Sequence, residues 1–335
     1  MGYLKIWCSL LAFRVLLTVL PVSAHHSEAG FDTGKVVAFE GTVIEYSWRN
    51  PHVYIDVESI DRVGSRVVWE IETGATPIMR RSGWTPDSLA VGDVISVRAH
   101  PERGTGRNYA LLLSLEKVNG STLAQTSGDP EVVARTTDIF GVWKGYGPTL
   151  RPFRQAFNQT PLTTKGAKAK AEYDFYEDAP AAGCVAPSSP HIISTGLFVT
   201  EIELGDGQVV FHNEFFDADR IIYMDGRGHP ADQERSTQGH SIGWWEGKIL
   251  VVDTTHFTDH RIGNGTGVPS GSQKHLIEKF RLSEDGTRLL VEVILEDPEY
   301  LLGPFIGMLE WSYTPEFELF RYDCDPEVSK RFRLD

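Results

Sequence analysis

Short runs of alternating apolar and polar residues, each bounded by glycine, asparagine or aspartate, recur along most of the chain. They predict strands joined by tight turns rather than long helices. From Lys35 to Gly120 the runs are Val36–Trp48, His52–Ile60, Arg66–Thr73, Asp93–Arg98 and Tyr109–Val118, each enriched in β-branched or aromatic residues. Between the third and fourth, Thr76–Gly83 has room for one or two helical turns. Residues 121–137 are polar and read as a linker. Beyond Asp138 an Ala- and Lys-rich helical insert is expected around Lys165–Tyr176, followed by hairpins. Leu197–Leu204 and Gln208–Phe215 flank Gly205-Asp206-Gly207, and Arg220–Met224 follows. Ser241–Trp245 pairs in sequence with Lys248–Thr255, His275–Leu282 with Thr287–Leu295, and Met308–Tyr313 with Phe317–Tyr322.

These runs predict a mostly β protein of two domains, residues 25–120 and 138–335. Five strands with a helix after the third is the order of an OB-fold barrel, although the same string suits another small barrel. Sequential strands joined by tight turns predict an up-and-down antiparallel barrel or a strongly bent sheet for the second domain. Its opening Gly141-Val142-Trp143 adds to a likeness with the calycin (lipocalin-like) architecture.

The remaining polarity changes where such a protein would work. Lys5, an apolar stretch from Ile6 to Val22 broken by Arg14, and Val22-Ser23-Ala24 read as a signal peptide over residues 1–24. A membrane span needs about 20 uninterrupted apolar residues, so no stable span is expected after cleavage, and the location expected is periplasmic or secreted. Removing residues 1–24 would take Cys8 away and leave Cys184 and Cys324 as a disulfide pair in an oxidising compartment. It would leave 311 of the 335 residues and, with Lys5 and Arg14 gone, take the net charge from −14 to −16. A surface that negative repels phosphate backbones, so nucleic acid is not an expected partner.

Ala24-His25-His26-Ser27, Phe31-Asp32, Gly41-Thr42-Val43, Trp48-x-Asn50-Pro51-His52 and Gly83-Trp84 resemble a family of exported bacterial proteins classed as a domain of unknown function, over roughly residues 24–118. The second half resembles a recurrent exported module. Its marks are Ile222-Tyr223-Met224-Asp225-Gly226-Arg227-x-His229-Pro230, Gly239-His240-Ser241-x-Gly243-x-Trp245-Glu246-Gly247, Leu250-Val251-Val252-Asp253-Thr254, His275, Glu278, Phe280, Glu296-Asp297-Pro298 and Cys324. The resemblance implies compartment and fold but no activity. The chain departs from the pattern at Glu28, where an aromatic usually stands, and at Trp244, where arginine usually does.

Three chemistries have candidate residues. Cleavage after Ala24 would give His25 a free amine beside its imidazole, and with His52, or His26 or His100, it would offer the nitrogen set that favours copper(II). His240, Glu246, Asp253, His256, His275, Glu278, Glu292 and Glu296 form a His and carboxylate group in the second domain. Alternation puts Asp253 with Ile249 and Val251 on an apolar face, where an unpaired carboxylate is costly. His240 or His275 would then complete a His–Asp pair, either a structural brace or a catalytic proton-transfer pair. Trp244, Tyr223 and Trp311 would line an apolar pocket for a small hydrophobic or amphipathic ligand, or belong to the core. Gly239-His240-Ser241-Ile242-Gly243 has the spacing of a nucleophile elbow, but that elbow needs a helix after the serine, and a hairpin is expected there. Gly263–Ser272 reads as a mobile loop over the barrel mouth.

Overall fold

The computed structural model describes residues 30–332 apart from 105, 127, 128, 131, 132 and 233. The expected signal peptide, His25 and His26 lie outside the described residues. None of the described helices is long and apolar enough to cross a membrane.

The five expected strands of the first half form: β1 (Val37–Ser47), β2 (Tyr54–Ile60), β3 (Arg66–Glu72), β4 (Val94–Pro101) and β5 (Tyr109–Lys117). β1 pairs with both β2 and β4, β2 with β3 and β4 with β5, all antiparallel. A parallel pairing of β3 with β5 closes the five into a barrel. Alternate side chains, among them Val43, Ile55, Val57, Ile71, Ile95, Val97 and Leu115, fill it. α1 (Thr76–Arg81) starts on Pro77, whose missing N–H is no loss in a first turn, and ends before Gly83 at φ +83°. Its Met79 joins the small barrel's core, while Ile78 packs with Phe198 and Tyr322 of the second half. Part of the expected linker forms a further strand, β6 (Thr122–Ala124), beside β5.

The second half contributes β7 (Gly141–Gly145), α2 (Gly147–Asn158), α3 (Thr164–Ala171), α4 (Phe175–Asp178) and α5 (Pro180–Gly183). Then come β8 (Val199–Gly205), β9 (Gln208–Asn213), β10 (Arg220–Tyr223), β11 (His240–Glu246) and β12 (Ile249–Thr255). β13 (His260–Gly265), β14 (Val268–Ser270), β15 (His275–Leu282), β16 (Arg288–Glu296) and β17 (Phe305–Tyr313) complete the strands. Nine of these close in the order β7-β8-β9-β10-β11-β12-β15-β16-β17 and back to β7. A ring of strands alternating up and down can be antiparallel throughout only if their number is even. With nine, one junction must be parallel, and it is β10 against β11. This corrects the expectation of a wholly antiparallel meander.

The lumen is packed with side chains, as protein interiors are. Phe211 meets Phe280 edge-on at 5.0 Å, Phe280 lies 6.0 Å from Trp311, and Leu250, Val252, Leu276 and Val291 fill the space around them. One polar group crosses this core. Arg220 lies 2.5 Å from Glu278 and donates to Ser241 at 2.9 Å and Thr254 at 2.6 Å.

Phe317–Tyr322, expected as a final strand, is not one, because its backbone is drawn elsewhere. Phe320 N donates to Glu214 at 3.0 Å and Tyr322 N to Asp217 at 2.8 Å. β7 takes the place beside β17 instead. The tail then reaches the disulfide Cys184–Cys324. α6 (Pro326–Phe332) lies against the first barrel, with Val328 packed on Phe31, Tyr54 and Tyr109. Arg331 there binds Glu70 at 2.8 Å, Glu45 at 3.0 Å, and Asp56.

Candidate functional site

The parallel junction positions the first candidate site. A chain leaving β10 must travel back along the barrel before it can enter β11 in the same direction. The connection therefore runs over the outer wall, and it lays His229 against the outward side chains of β11 and β12. His229 Nε2 is 3.2 Å from Asp253 Oδ1, and its Nδ1 is 2.9 Å from His240 Nδ1. His275 Nε2 reaches the same Asp253 oxygen at 2.9 Å, and its Nδ1 lies 3.9 Å from Glu296. Tyr223 stacks on His240 with ring centres 5.2 Å apart, and Arg227 covers Tyr223 at 4.1 Å. His256 stands 6.2 Å from His240, ring to ring, held at φ +58° with Nδ1 2.8 Å from the Thr255 hydroxyl.

The hydrogen bonds dictate tautomers. A carboxylate only accepts, so His229 carries its proton on Nε2 and, when neutral, accepts at Nδ1. His240 then donates from Nδ1 and presents Nε2 as a lone pair. Burial, with His229, His256 and Arg227 close by, holds the His240 pKa below its ordinary value. With His229 neutral, the row is a hydrogen-bonded chain that ends on His240 Nε2.

Of the expected residues, Asp253 and His275 meet directly, and His240 joins them through His229. Sequence reasoning quoted His229 as a mark of the second-half module but not as a site residue. Its signal was its place in a long strandless stretch between two strands. Asp253 shares its face of β12 with Ile249 and Val251; this face points out of the barrel, and Leu250, Val252 and Thr254 face the core. Glu278 points inward, while Glu246 accepts from Trp244 Nε1 at 3.1 Å on the hairpin, and Glu292 pairs across from Lys279. Ser241 of the elbow-like motif is buried, 2.9 Å from Thr254, and is followed by strand, so it is a core hydroxyl.

The three aromatics expected to share a pocket do not. Trp311 is core, donating to Ile193 O at 3.0 Å, Trp244 is exposed on the barrel's outside, and Tyr223 belongs to the histidine row. His52 binds the buried Glu72 at 2.8 Å, and His100 Nδ1 lies 2.7 Å from Lys35 O.

A cavity of about 340 Å³ lies beneath α2. Sequence reasoning missed this helix, although Leu150, Phe153 and Phe157 recur at helical spacing behind Pro148. Phe153 and Phe157 both meet Phe305 of β17 edge-on at 5.2 Å. The opposite wall is the turn around His191 and Ser194 and the β13–β14 hairpin. The expected mobile loop over 263–272 is this hairpin in part. Gly265 lets it close on the helix, since a side chain there would meet Phe157 at 2.4 Å. Arg154 and Lys170 also line the space, and Arg154 donates to Ser194 O at 2.6 Å.

Residues 14–110 match a family of unknown function, DUF6152. The match covers the first barrel up to the start of β5 and none of the second. No curated protein matches the chain.

Proposed function

We propose that the protein works outside the cytoplasm, periplasmic or secreted, and binds a small amphipathic molecule in its second domain, at the cavity beneath α2. The observation that carries this reading is the cavity itself. Its volume of about 340 Å³ is that of a small-molecule site, with two phenylalanines on one side and polar groups on the other. Because the lumen is packed, this reading takes the ligand to the barrel's flank rather than its interior. We read the second domain as calycin-like and the first, from its strand order and the helix after its third strand, as an OB-like docking or stabilising module. The neutral dye N-phenyl-1-naphthylamine tests the site. Saturable one-to-one binding, lost on Asn158→Trp at the cavity rim, is expected. Binding that never saturates, or that ignores this substitution, would refute the reading.

A second reading, proton transfer at His240, is favoured by the Asp253–His229–His240 chain. Nitrogen NMR should find His240 protonated on Nδ1, and Asp253→Asn should destroy that preference. An Nε2–H tautomer in the unaltered protein would rule the relay out.

A further inference from the structure

The chain carries 46 acidic residues against 32 basic ones, and several of the arginines it shields from water are paired with carboxylates, whereas the buried Lys274 bonds to Ser188 and Ser189. Arg81 binds Glu214, Arg107 binds Glu102, Arg220 binds Glu278 and Arg261 binds Asp178. The cavity beneath α2 breaks this pattern. Arg154, Lys170 and His191 line it, and no aspartate or glutamate does among the described residues. Arg154 donates to Ser194 O and Lys170 to Asn158 O, both uncharged acceptors, and neither cation has a carboxylate partner among the described residues. Burial lowers the Arg154 pKa with nothing opposing it. A guanidinium has five N–H donors, so most of its fork is unspent.

The neighbouring cavity, of about 620 Å³ beside α3, shows what compensation looks like in this protein. Its Lys165 and Arg261 are bound at 2.7 Å by Glu299 and Asp178, and Glu172, Asp174, Glu177 and Asp259 line it too. A partly desolvated cation without a counter-ion costs stability. It is accounted for if a ligand brings the missing charge.

We propose that the cavity beneath α2 takes an amphipathic carboxylate, its head held by Arg154 and Lys170 and its apolar body against Phe153 and Phe157. The proposal rests on the ligand-binding reading above and names the ligand's class. The planar fork of arginine matches a carboxylate in two parallel bonds. The cavity also reaches Asn158 at the C-terminal end of α2, whose carbonyls oppose any anion, so Arg154 and Lys170 must outweigh them, which is easier for a singly charged head than for a doubly charged one.

The test uses the full chain and the matched probes decanoate and decanol, each displacing N-phenyl-1-naphthylamine. Decanoate should bind about tenfold or more tighter than decanol, the worth of one charge-assisted bond. Arg154→Gln should bring the two within about twofold while the dye's affinity stays unchanged, and Lys170→Met should narrow the gap in the same direction. The melting temperature of Arg154→Gln should hold or rise, because an unpaired charge has been removed. Equal affinities for decanoate and decanol in the unaltered protein would overturn the proposal and leave the ligand reading standing. Failure of the dye and both probes to bind would overturn both. Inorganic phosphate that displaces decanoate at millimolar concentration without displacing the dye would reassign the cations to a phosphate site. A lowered melting temperature with unchanged decanoate affinity would make Arg154 structural.

Discussion

Glu278→Gln removes one charge from the middle of the second barrel and almost no volume. Glu278 is fully buried on the inward face of β15, and Arg220, itself 6% exposed, reaches it at 2.5 Å. Its second oxygen accepts from the Ser189 hydroxyl at 2.6 Å. The glutamine amide can keep one of these contacts, but it leaves the guanidinium desolvated with no counter-ion. Breaking a buried pair in this way costs about 3–5 kcal/mol. In a domain of this size about 1 kcal/mol moves the melting temperature by about 2–4 °C, so a fall of about 6–20 °C is expected. Urea unfolding at pH 7 would give the same loss as a shifted midpoint with unchanged slope. The pair also differs from its parts. With Arg220→Met and Glu278→Leu together, Ser241 and Thr254 still bond each other at 2.9 Å, so the double variant should lose far less than the two single losses added. A loss below about 1 kcal/mol for Glu278→Gln, or additive losses in the double variant, would refute the assignment of this pair as a buried, mutually dependent unit.

Two further outcomes follow from the same coordinates. The disulfide joins residues 140 apart, and opening a loop of that order with Cys184→Ser and Cys324→Ser should cost about 4–5 kcal/mol on the chain-entropy model. Denaturation of the double variant against the oxidised protein checks this, and a loss under about 1 kcal/mol would mean the tail is held without it. Lys274 is buried beside Phe257, Ser188 and Ser189, and burial brings its ammonium down from 10.5 to about 7 against the opposing pull of Asp297 and Glu278. Between those values the unfolded chain holds a proton that the folded one has released, so its contribution to stability rises with pH, by at most about 1.4 kcal/mol per unit. Unfolding curves from pH 7 to 10 should show this slope, and Lys274→Met should flatten it. An unchanged slope in that variant would count against the assignment.

The alternation of apolar and polar residues located the barrel strands other than β7, because one face of each is covered by its own barrel, while β6 lies in the expected linker and the β13–β14 hairpin in part in the expected loop. Alternation could not say which face. On β12 the sets Ile249, Val251 and Leu250, Val252 are equally apolar, and only the partners Leu276 and Phe280 on β15 decide that Leu250 and Val252 face the core. Asp253 could therefore be given its neighbours Ile249 and Val251 but not a side of the wall. Nor does periodicity count the members of a closed ring. Phe317–Tyr322 alternates well enough to pass for a strand, yet the carboxylates of Glu214 and Asp217 take its backbone N–H groups, and β7 fills that place. The tail's destination was out of reach for the same reason, since Arg331 finds Glu45, Asp56 and Glu70 across more than 250 residues of chain.

The position of the parallel junction connects the error in topology with the site that sequence reasoning left incomplete. An even ring would let every connection turn back at the barrel's rim, and His229 would then sit in a loop at one end, away from Asp253. A nine-membered ring needs a parallel junction, and because it falls between β10 and β11, which follow one another in the chain, rather than at the closure of β17 on β7, their connection must run back along the outside, and it carries Gly226-Arg227-Gly228-His229. Gly226 turns the chain at φ +79°, in the left-handed region that glycine adopts without strain. His229 is thereby placed between two residues that strands alone had positioned, and Arg227 is brought over Tyr223. The histidine row is a consequence of the parallel junction falling between β10 and β11.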